Sequence, residues 1–558
     1  MKNRILILLT IVFSFVSCTD DFDEINQQPD AFPASDISAK FLVTNLQKNL
    51  FKPTATPLWF GQIFHQDQYA GHHAGGHSQY IWNGDFGWTY AGWLQEGTNN
   101  WLSDYNVKLT SYLKFVGPDG LLENEYYNAI GLIMKGFYYQ TYTDQVGMIP
   151  YSEASKVDIP LPKYDDQIDI YKGVIAELSD AIATIGDKET GEGIENLGEN
   201  DVLFNGNLQK WKQLANSLKL RMALRAHGAT GADFAASAAS EAISSGVLAD
   251  SDALFESSVQ VRNEWVDFAN YSDIWHGYGA GGTWRMGEPL INELSHHDDP
   301  RLALMSQPSK GGSIELNTAA ATADQVAFLK STLDNAGLVQ DTDYVWTVSN
   351  DTILTIDMES DKYHVGLPLR LSSKMKGLFD GDLFSTPSEL VTGRTKTNSG
   401  NELFPAVVMT AADSHFMVAE AIVKGLASGD AAAHYSTGLD HAMNLWDTTT
   451  TSEFLASEMG SLSGTTEEKL EKIATQRWIV NYTNGLEAWS IVRDTGYPTS
   501  AITTSDNNDI RDYAGMNGDY PQRLRYRGGA YTSNAANVEA AVDKQGADTK
   551  LTKLWWAK

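Results

Sequence analysis

Apolar residues recur every three or four positions over much of this chain, which is the period of one helix face. The clearest case runs from Trp211 through Leu218 to Met222. A capping box formed by Thr465 and Glu468 marks the beginning of another helix. The pattern predicts helices over 37–50, 122–143, 166–185, 208–227, 233–245, 411–426, 430–446 and 466–483. The chain is therefore predicted to be mainly α-helical.

The segment 247–405 differs from the parts that flank it. Short β-prone runs such as 344–348 alternate there with Gly, Pro, Ser and Asp, which is typical of a loop-rich region of mixed α and β structure. We therefore predict a body over 37–558 in which this insertion interrupts a helical scaffold. The predicted parts are the scaffold at about 37–246 and 406–500, the insertion at about 247–405, and a loop-rich C-terminal segment, 501–558.

One stretch of the scaffold has the spacing of a tetratricopeptide helix pair. Small residues stand where two helices of such a pair approach closely, and aromatic residues fill the space between them. The residues concerned are Phe416, Ala419, Gly425, Tyr435 and Ala442. The period of about 34 residues that defines these repeats is not found elsewhere in the sequence. The stretch therefore predicts helix-pair packing and no more.

The N-terminus has the layout of a secretory signal. Two basic residues precede the apolar run 5–16, which is shorter than the roughly 20 residues that span a bilayer. The run ends at Ser17 and Cys18, and this order resembles a bacterial lipoprotein signal in which Cys18 is acylated. A signal peptide, 1–17, and a lipidated tether, 18–36, are predicted. The alternative is an ordinary signal peptide with an incidental cysteine.

Acidic residues follow the cysteine directly, at positions 20, 21, 23 and 24. This order resembles the surface-export signal of Bacteroidetes lipoproteins, and the alternative is a solvated acidic linker. The whole chain has 41 basic and 71 acidic residues, a net charge of −30, and loss of Lys2 and Arg4 with the signal peptide makes it −32. Because phosphate binding needs clustered Lys and Arg, nucleic acid is excluded as an expected partner. A single cysteine also excludes an intramolecular disulfide.

Motifs with catalytic meaning lack the context that they require. The sequence 460–464 matches a nucleophile elbow, but a helical pattern rather than a strand precedes it. The sequence 277–282 matches a dinucleotide fingerprint without the apolar strand before it. We therefore predict no catalytic residue, no enzyme activity and no cofactor.

Histidines cluster in the N-terminal part of the body. His72, His73 and His77 lie in a Gly-rich stretch and are weak candidates for transition-metal ligands. The alternative is a polar loop in which the imidazoles form hydrogen bonds and stack on neighbouring rings. No metal site is predicted from them.

Two aromatic clusters carry the stronger signal. Tryptophan and tyrosine residues are interleaved with Gly, Asn and Asp near 80–93 and again at 271–285. Aromatic faces on loops suit the apolar faces of sugar rings, and neighbouring polar groups bind the hydroxyls. The alternative is that these rings fill a loosely packed loop core. The candidate ligand-binding residues are Trp82, Asn83, Asp85, Trp88, Trp93, Trp275, Tyr278, Trp284 and Arg285.

Several runs, taken together, resemble the SusD/RagB family of outer-membrane lipoproteins, in particular its SusD-like nutrient-binding branch. They extend over nearly the whole chain, with two departures, at Asp494 and Arg527. The matching runs are 142–154, 162–167, 205–207, 215–221, 299–301, 419–421, 476–478, 484–489, 496–498 and 554–556.

The resemblance implies about four tetratricopeptide-like helix pairs that carry a variable ligand face. It implies a nutrient-binding lipoprotein at the outer membrane, facing outward, that delivers an oligosaccharide to a SusC-like TonB-dependent transporter. It also implies that Asp144, Trp211 and Trp489 are packing and capping residues. Alternatives are a peptide- or metal-chelate-binding lipoprotein of the same uptake type and a surface glycan hydrolase.

Overall fold

The structure is a computed structural model. It describes residues 38–51, 57–75, 93–190, 195–258, 270–277, 284–395, 400–502, 507, 509–511 and 519–557. The first elements in chain order are α1 (Lys40–Phe51), a π-helix (Pro57–Gln66), α2 (Asp67–Ala70), β1 (His73–Gly75), α3 (Trp93–Val116), α4 (Glu125–Val146), α5 (Gln167–Ile185), α6 (Leu208–Ala226) and α7 (Phe234–Ser245).

The middle of the chain mixes short helices and strands. Its elements are β2 (Ala253–Ser258), α8 (Tyr271–Gly277), β3 (Trp284–Met286), α9 (Glu288–His296), α10 (Leu302–Met305), β4 (Ser306–Gln307), β5 (Gly312–Asn317), α11 (Ala323–Asn335), β6 (Tyr344–Ser349), β7 (Ile353–Met358), β8 (Thr386–Pro387), α12 (Glu389–Thr392) and β9 (Glu402–Met409).

Helices return in the last third, as α13 (Ala411–Val423), α14 (Ala431–Asn444), α15 (Ser452–Ala456), α16 (Thr466–Val480), α17 (Gly485–Thr495), α18 (Gly528–Ser533) and α19 (Ala535–Gln545). All eight predicted helices are confirmed, with ends that differ by a few residues. Among helices of nine or more residues, the sequence did not predict the π-helix, α3, α9, α11, α17 or α19, the last of which lies in the predicted loop-rich C-terminal segment. No helix in the described ranges is both long enough and apolar enough to cross a bilayer.

Consecutive helices pack in pairs: α4 with α5, α6 with α7, α13 with α14, and α16 with α17. This arrangement confirms a mainly α-helical fold with a tetratricopeptide-like scaffold. Close approach within α13–α14 requires a small residue, because a Cβ on Gly438 would lie 2.6 Å from Phe416 Cε1. Polar caps fix where the helices begin: Thr465 and Glu468 form the predicted capping box of α16.

Short antiparallel strand pairs tie distant parts of the chain together. The β2–β9 pair aligns Ala253 with Met409, and so joins the two ends of the mixed segment between the helical parts. Within this segment β5, β7 and β6 form a three-stranded sheet, and β4 pairs with β8. The β1–β3 pair attaches the segment to the N-terminal part of the scaffold.

A network of buried charges lies where the helix pairs meet. Arg225 of α6 binds Asp144 of α4 and Glu487 of α17, each at 2.5 Å. Asp413 of α13 accepts from Arg221 of α6 and from Arg477 of α16, both at 2.9 Å. All of these side chains are at least nine-tenths buried. The network therefore links all four helix pairs through ion pairs that water does not screen.

Aromatic and polar neighbours complete the network. Asp144 accepts hydrogen bonds from Tyr171 at 2.6 Å and from Trp556 at 2.8 Å, so the C-terminal segment is attached to the same point. Arg477 also donates to Glu420 at 2.7 Å. Burial alone would raise the pKa of Glu420, but the cations of Lys424 and Arg477 lower it to about 2. This carboxylate therefore stays ionised at neutral pH.

Replacing Arg225 with alanine should destabilise the fold by about 3–5 kcal/mol, because two buried carboxylates each lose an ion-pair partner. The shift of the urea-unfolding midpoint measures this loss. Arg394→Ala is the matched control, since Arg394 pairs with Glu389 at the surface. Exposed pairs contribute little, so the control should cost no more than about 1 kcal/mol. Equal shifts for the two variants would contradict a structural role for the network.

Candidate functional site

The β1–β3 pair joins the two parts of the chain that adjoin the predicted aromatic segments. Gly75 aligns with Trp284 and Ala74 with Arg285 in antiparallel register. Residues opposite each other in such a pair have Cα atoms about 4.5–5.5 Å apart. The chain leaves β1 toward 76–92 and enters β3 from 278–283, so both segments adjoin the same end of this ribbon. We refer to the β1–β3 pair below as the ribbon.

Four of the nine predicted ligand residues lie in the part of the chain that the structure describes. Trp82, Asn83, Asp85, Trp88 and Tyr278 lie outside the described residues, as do His77 and Cys18. Trp93 begins α3 and Trp284 begins β3, but nothing is described of their side chains. Trp275 is half-buried on α8, and Arg285 is buried on β3. Their role in binding stays a prediction.

A set of buried polar side chains forms the floor of the ribbon. Asp67 accepts from the Tyr271 hydroxyl at 2.8 Å, and its Oδ2 lies 3.3 Å from His73 Nδ1. The other ring nitrogen of His73, Nε2, lies 3.0 Å from the Tyr482 hydroxyl. Gln62 donates to the Tyr271 oxygen and to the Thr483 carbonyl, both at 2.8 Å. The floor therefore connects the π-helix, α2, α8 and the α16–α17 turn.

Asp67 also meets the beginning of α17. A Cβ on Gly485 would lie 2.0 Å from Asp67 Oδ1, so only glycine allows this approach. The carboxylate thus lies at a helix N-terminus, where the partial positive charge of the helix dipole favours an anion. This contact gives a physical reason for the glycine in the 484–489 run.

The buried side chain of His72 contacts Trp478. Its Nε2 lies 3.1 Å from the Trp478 carbonyl oxygen, and its ring packs on Trp478 with centroids 4.7 Å apart. Burial, together with repulsion from His73, lowers the pKa of His72 to about 3, although the hydrogen bond to Trp478 opposes this. Among the residues whose placement is described, no group of three His, Cys, Asp or Glu could hold a metal ion.

Arg285 lies at the edge of the ribbon. Its Nε donates to the Gly381 carbonyl at 2.9 Å. Burial lowers the pKa of Arg285, and the negative charges of Asp382 and Asp380 oppose this shift. A Cβ on Gly381 would lie 2.4 Å from the guanidinium, so glycine makes room for it. The loop at 380–382 therefore fixes the position of this cation.

Sequence reasoning missed most of the floor. Tyr271 belongs to an aromatic cluster that the sequence shows, but Asp67, Gln62 and Tyr482 belong to no motif. Their partners lie far away in sequence, since Tyr271 and Asp67 are 204 positions apart. They come together only when β1 pairs with β3 and the beginning of α17 packs on α2 and the π-helix, and no local pattern signals either contact.

Comparison with protein families gives one result over most of the chain. A family described as SusD-like, starch-binding and associating with the outer membrane matches residues 31–337 and 372–526. The chain belongs to this SusD-like family. A comparison with curated proteins found no match.

Solved structures of SusD homologues share the fold. A homologue from Bacteroides uniformis is 22% identical with a TM-score of 0.68, and the match covers 94% of this chain and 100% of that one. One from Bacteroides thetaiotaomicron is 21% identical, with a TM-score of 0.65 and coverage of 94% and 99%. A chitin-binding SusD homolog from Flavobacterium johnsoniae is 20% identical, with a TM-score of 0.65 and coverage of 93% and 98%. At these identities the likeness shows the fold.

Replacing His72 with glutamine should make the free energy of unfolding less sensitive to low pH. Folded His72 stays neutral down to about pH 3, while the unfolded chain takes up this proton near pH 6.5. Acidification through this window therefore favours the unfolded chain, and the stability is restored as pH rises. When the pH falls from about 7 to 5, the free energy of unfolding should decrease by about 2 kcal/mol less in the variant than in the parent.

Urea unfolding of both proteins at the two pH values measures the difference. Glutamine keeps an N–H donor for the Trp478 carbonyl, so the test is directed at the titration rather than at the hydrogen bond. Parallel losses of stability in parent and variant would show that His72 titrates normally in the folded protein.

Proposed function

We propose that this protein is a non-enzymatic, surface-anchored lipoprotein that binds a nutrient glycan and delivers it to a SusC-like TonB-dependent transporter. The observation that carries the proposal is the pairing of Gly75 with Trp284, which adjoins the two aromatic segments at one end of the ribbon. Family membership supports association with the outer membrane and binding of a starch-like ligand. Acylated Cys18 provides the anchor, and the body faces the cell exterior.

A glycan fits the residue types of the two segments. Tryptophan rings at 82, 88, 275 and 284 provide flat apolar surfaces for sugar rings, while Asn83, Asp85 and Arg285 bind hydroxyls. The fold is shared with a chitin-binding SusD homolog, which supports a polysaccharide as ligand class. Micromolar to millimolar affinity, about −8 to −4 kcal/mol, allows both capture and release.

Substitution of the ring-bearing residues tests the site. Trp88→Ala and Trp275→Ala should each weaken binding of starch or chitin oligosaccharides about tenfold or more, because each removes a stacking surface. Calorimetry on the mature chain measures the dissociation constants.

The matched control is Trp346→Ala. Trp346 is also half-buried, but it lies on β6 of the three-stranded sheet. It should bind as the parent does. Equal losses in all three variants, or none in any, would contradict a site at the ribbon. Assay of the same mixtures for new reducing ends tests the non-enzymatic part, since their appearance would indicate a hydrolase.

The acidic composition gives a separate expectation. A mature chain of net charge −32 should bind neutral polysaccharides better than uronate-rich or sulfated ones, because like charges repel. Affinity electrophoresis against both classes, at low and at high salt, measures the preference. Added salt should reduce the discrimination, since it screens exposed charges. Stronger retardation by anionic polysaccharides would refute this expectation.

A further inference from the structure

Two histidines of the α13–α14 pair face each other through their ring nitrogens. His415 lies on α13 and His434 on α14, and their Nδ1 atoms are 3.0 Å apart. The ring centroids are 5.2 Å apart, and the ring planes are inclined by 38°. Both residues are half-buried and therefore partly open to solvent. Neither residue belongs to the ribbon, to its floor or to the buried charge network.

A backbone carbonyl decides which nitrogen of His415 is free to bind. Its Nε2 lies 3.2 Å from the Ala249 carbonyl oxygen, which can only accept a hydrogen bond. Nε2 therefore carries the proton of the neutral ring, and Nδ1 presents a lone pair toward His434. Histidine ligands of metal ions usually donate their second ring N–H to such a partner, which fixes the tautomer and the ring orientation. His415 is thus arranged as a ligand through Nδ1.

The separation of the two Nδ1 atoms suits a shared metal ion. With metal–nitrogen bonds of about 2.0–2.1 Å, two ligands lie about 2.9 Å apart at a right angle and about 3.3 Å apart at a tetrahedral angle. The observed 3.0 Å falls between these values. Without an ion, the Nδ1 proton of His434 bridges the two nitrogens as a hydrogen bond. Ion binding moves that proton to Nε2 of His434, so both neutral rings bind through lone pairs.

The charges near the pair favour a cation. Burial lowers the pKa of both imidazoles, so both are neutral near pH 7. Asp250 opposes this lowering of the pKa at His415, and Asp430 does so at His434, so a carboxylate lies near each ring. His441 stacks on His415, with centroids 5.5 Å and planes 13° apart. Because an imidazole binds a metal in the plane of its ring, this stacked ring is not a third ligand.

We propose that His415 and His434 bind one divalent transition-metal ion through their Nδ1 atoms, at a site that joins α13 to α14. Imidazole selects copper, nickel and zinc over magnesium and calcium, which prefer oxygen ligands. Within the described residues no third His, Cys, Asp or Glu completes the set, so water fills the remaining positions. The proposal does not depend on the proposed glycan site, because the two sites share no residue.

Calorimetry on the mature chain, without a histidine tag, tests the proposal with Cu²⁺, Ni²⁺ and Mg²⁺ as probes. Cu²⁺ should bind with a micromolar or tighter dissociation constant, Ni²⁺ should bind more weakly, and Mg²⁺ should not bind. Electron paramagnetic resonance of the Cu²⁺ complex should show two imidazole ligands. Absence of Cu²⁺ binding, or binding of Mg²⁺ as tight as that of Cu²⁺, would overturn the proposal.

Substitutions locate the site. His415→Gln and His434→Gln should each weaken Cu²⁺ binding at least tenfold, because either change leaves a single imidazole. The matched control is His296→Gln, since Nε2 of His296 also contacts a backbone carbonyl, that of Asn335, at 2.8 Å. His441→Phe keeps a ring against His415 but removes both nitrogens. Both of these variants should bind Cu²⁺ as the parent does.

Unchanged Cu²⁺ binding in a folded His415→Gln or His434→Gln variant would overturn the placement of the ion. A loss in His296→Gln or His441→Phe as large as that in His415→Gln would also overturn it, since other ligands would then be involved.

The position of the ion between two helices gives a second measurement. An ion that binds the folded chain better than the unfolded chain raises the urea-unfolding midpoint. Stoichiometric Cu²⁺ should therefore raise this midpoint in the parent and in His296→Gln, and less or not at all in His415→Gln. An equal shift in all three proteins would contradict a site that joins α13 to α14.

Discussion

The buried ion pairs between Arg221, Arg225 and Arg477 and their carboxylates are the constraint on which the rest of the structure depends. Each helix pair contributes at least one member, so none of the pairs can shift without separating charges in an environment that water does not reach. Apolar contacts are not directional. A guanidinium that binds two carboxylates on different helices is directional, and it therefore restricts both the distance and the angle between those helices. The network therefore fixes how the pairs are arranged.

The segment 477–487 connects the ribbon to that network. Arg477 binds Asp413, while the next residue, Trp478, donates its indole N–H to the Ala70 carbonyl at 2.8 Å. Tyr482 contacts His73, and five residues later Glu487 binds Arg225. The end of α16, the turn and the beginning of α17 thus contact the network and the ribbon floor alternately. The position of the ribbon is therefore determined by contacts to the buried charge network.

The correct predictions from the sequence concern structure that short, local sequence patterns determine. The α6 and α16 helices follow from apolar spacing and a capping box, both of which lie within one segment. The ribbon floor does not follow, because Asp67 meets Tyr271 and Gly485 only after distant strands and helices have packed. The sequence predicts that residues of both aromatic clusters contact the ligand, but only the pairing of Gly75 with Trp284 shows which parts of the chain adjoin. Residue types predict the chemistry of a site, whereas the strand register follows only from the fold.

The excess of acidic residues does not come from the buried charge network. In the core, the carboxylates of Asp144, Asp413, Glu420 and Glu487 face three arginines and Lys424, so the network is close to neutral. The net negative charge therefore lies on the remaining residues. Exposed charges act over about 8 Å at physiological ionic strength, so only acids near the ribbon affect the electrostatic potential there. Asp380 and Asp382 are such acids, and they offset the charge of Arg285. The edge of the ribbon is therefore not strongly basic, although it carries a buried guanidinium.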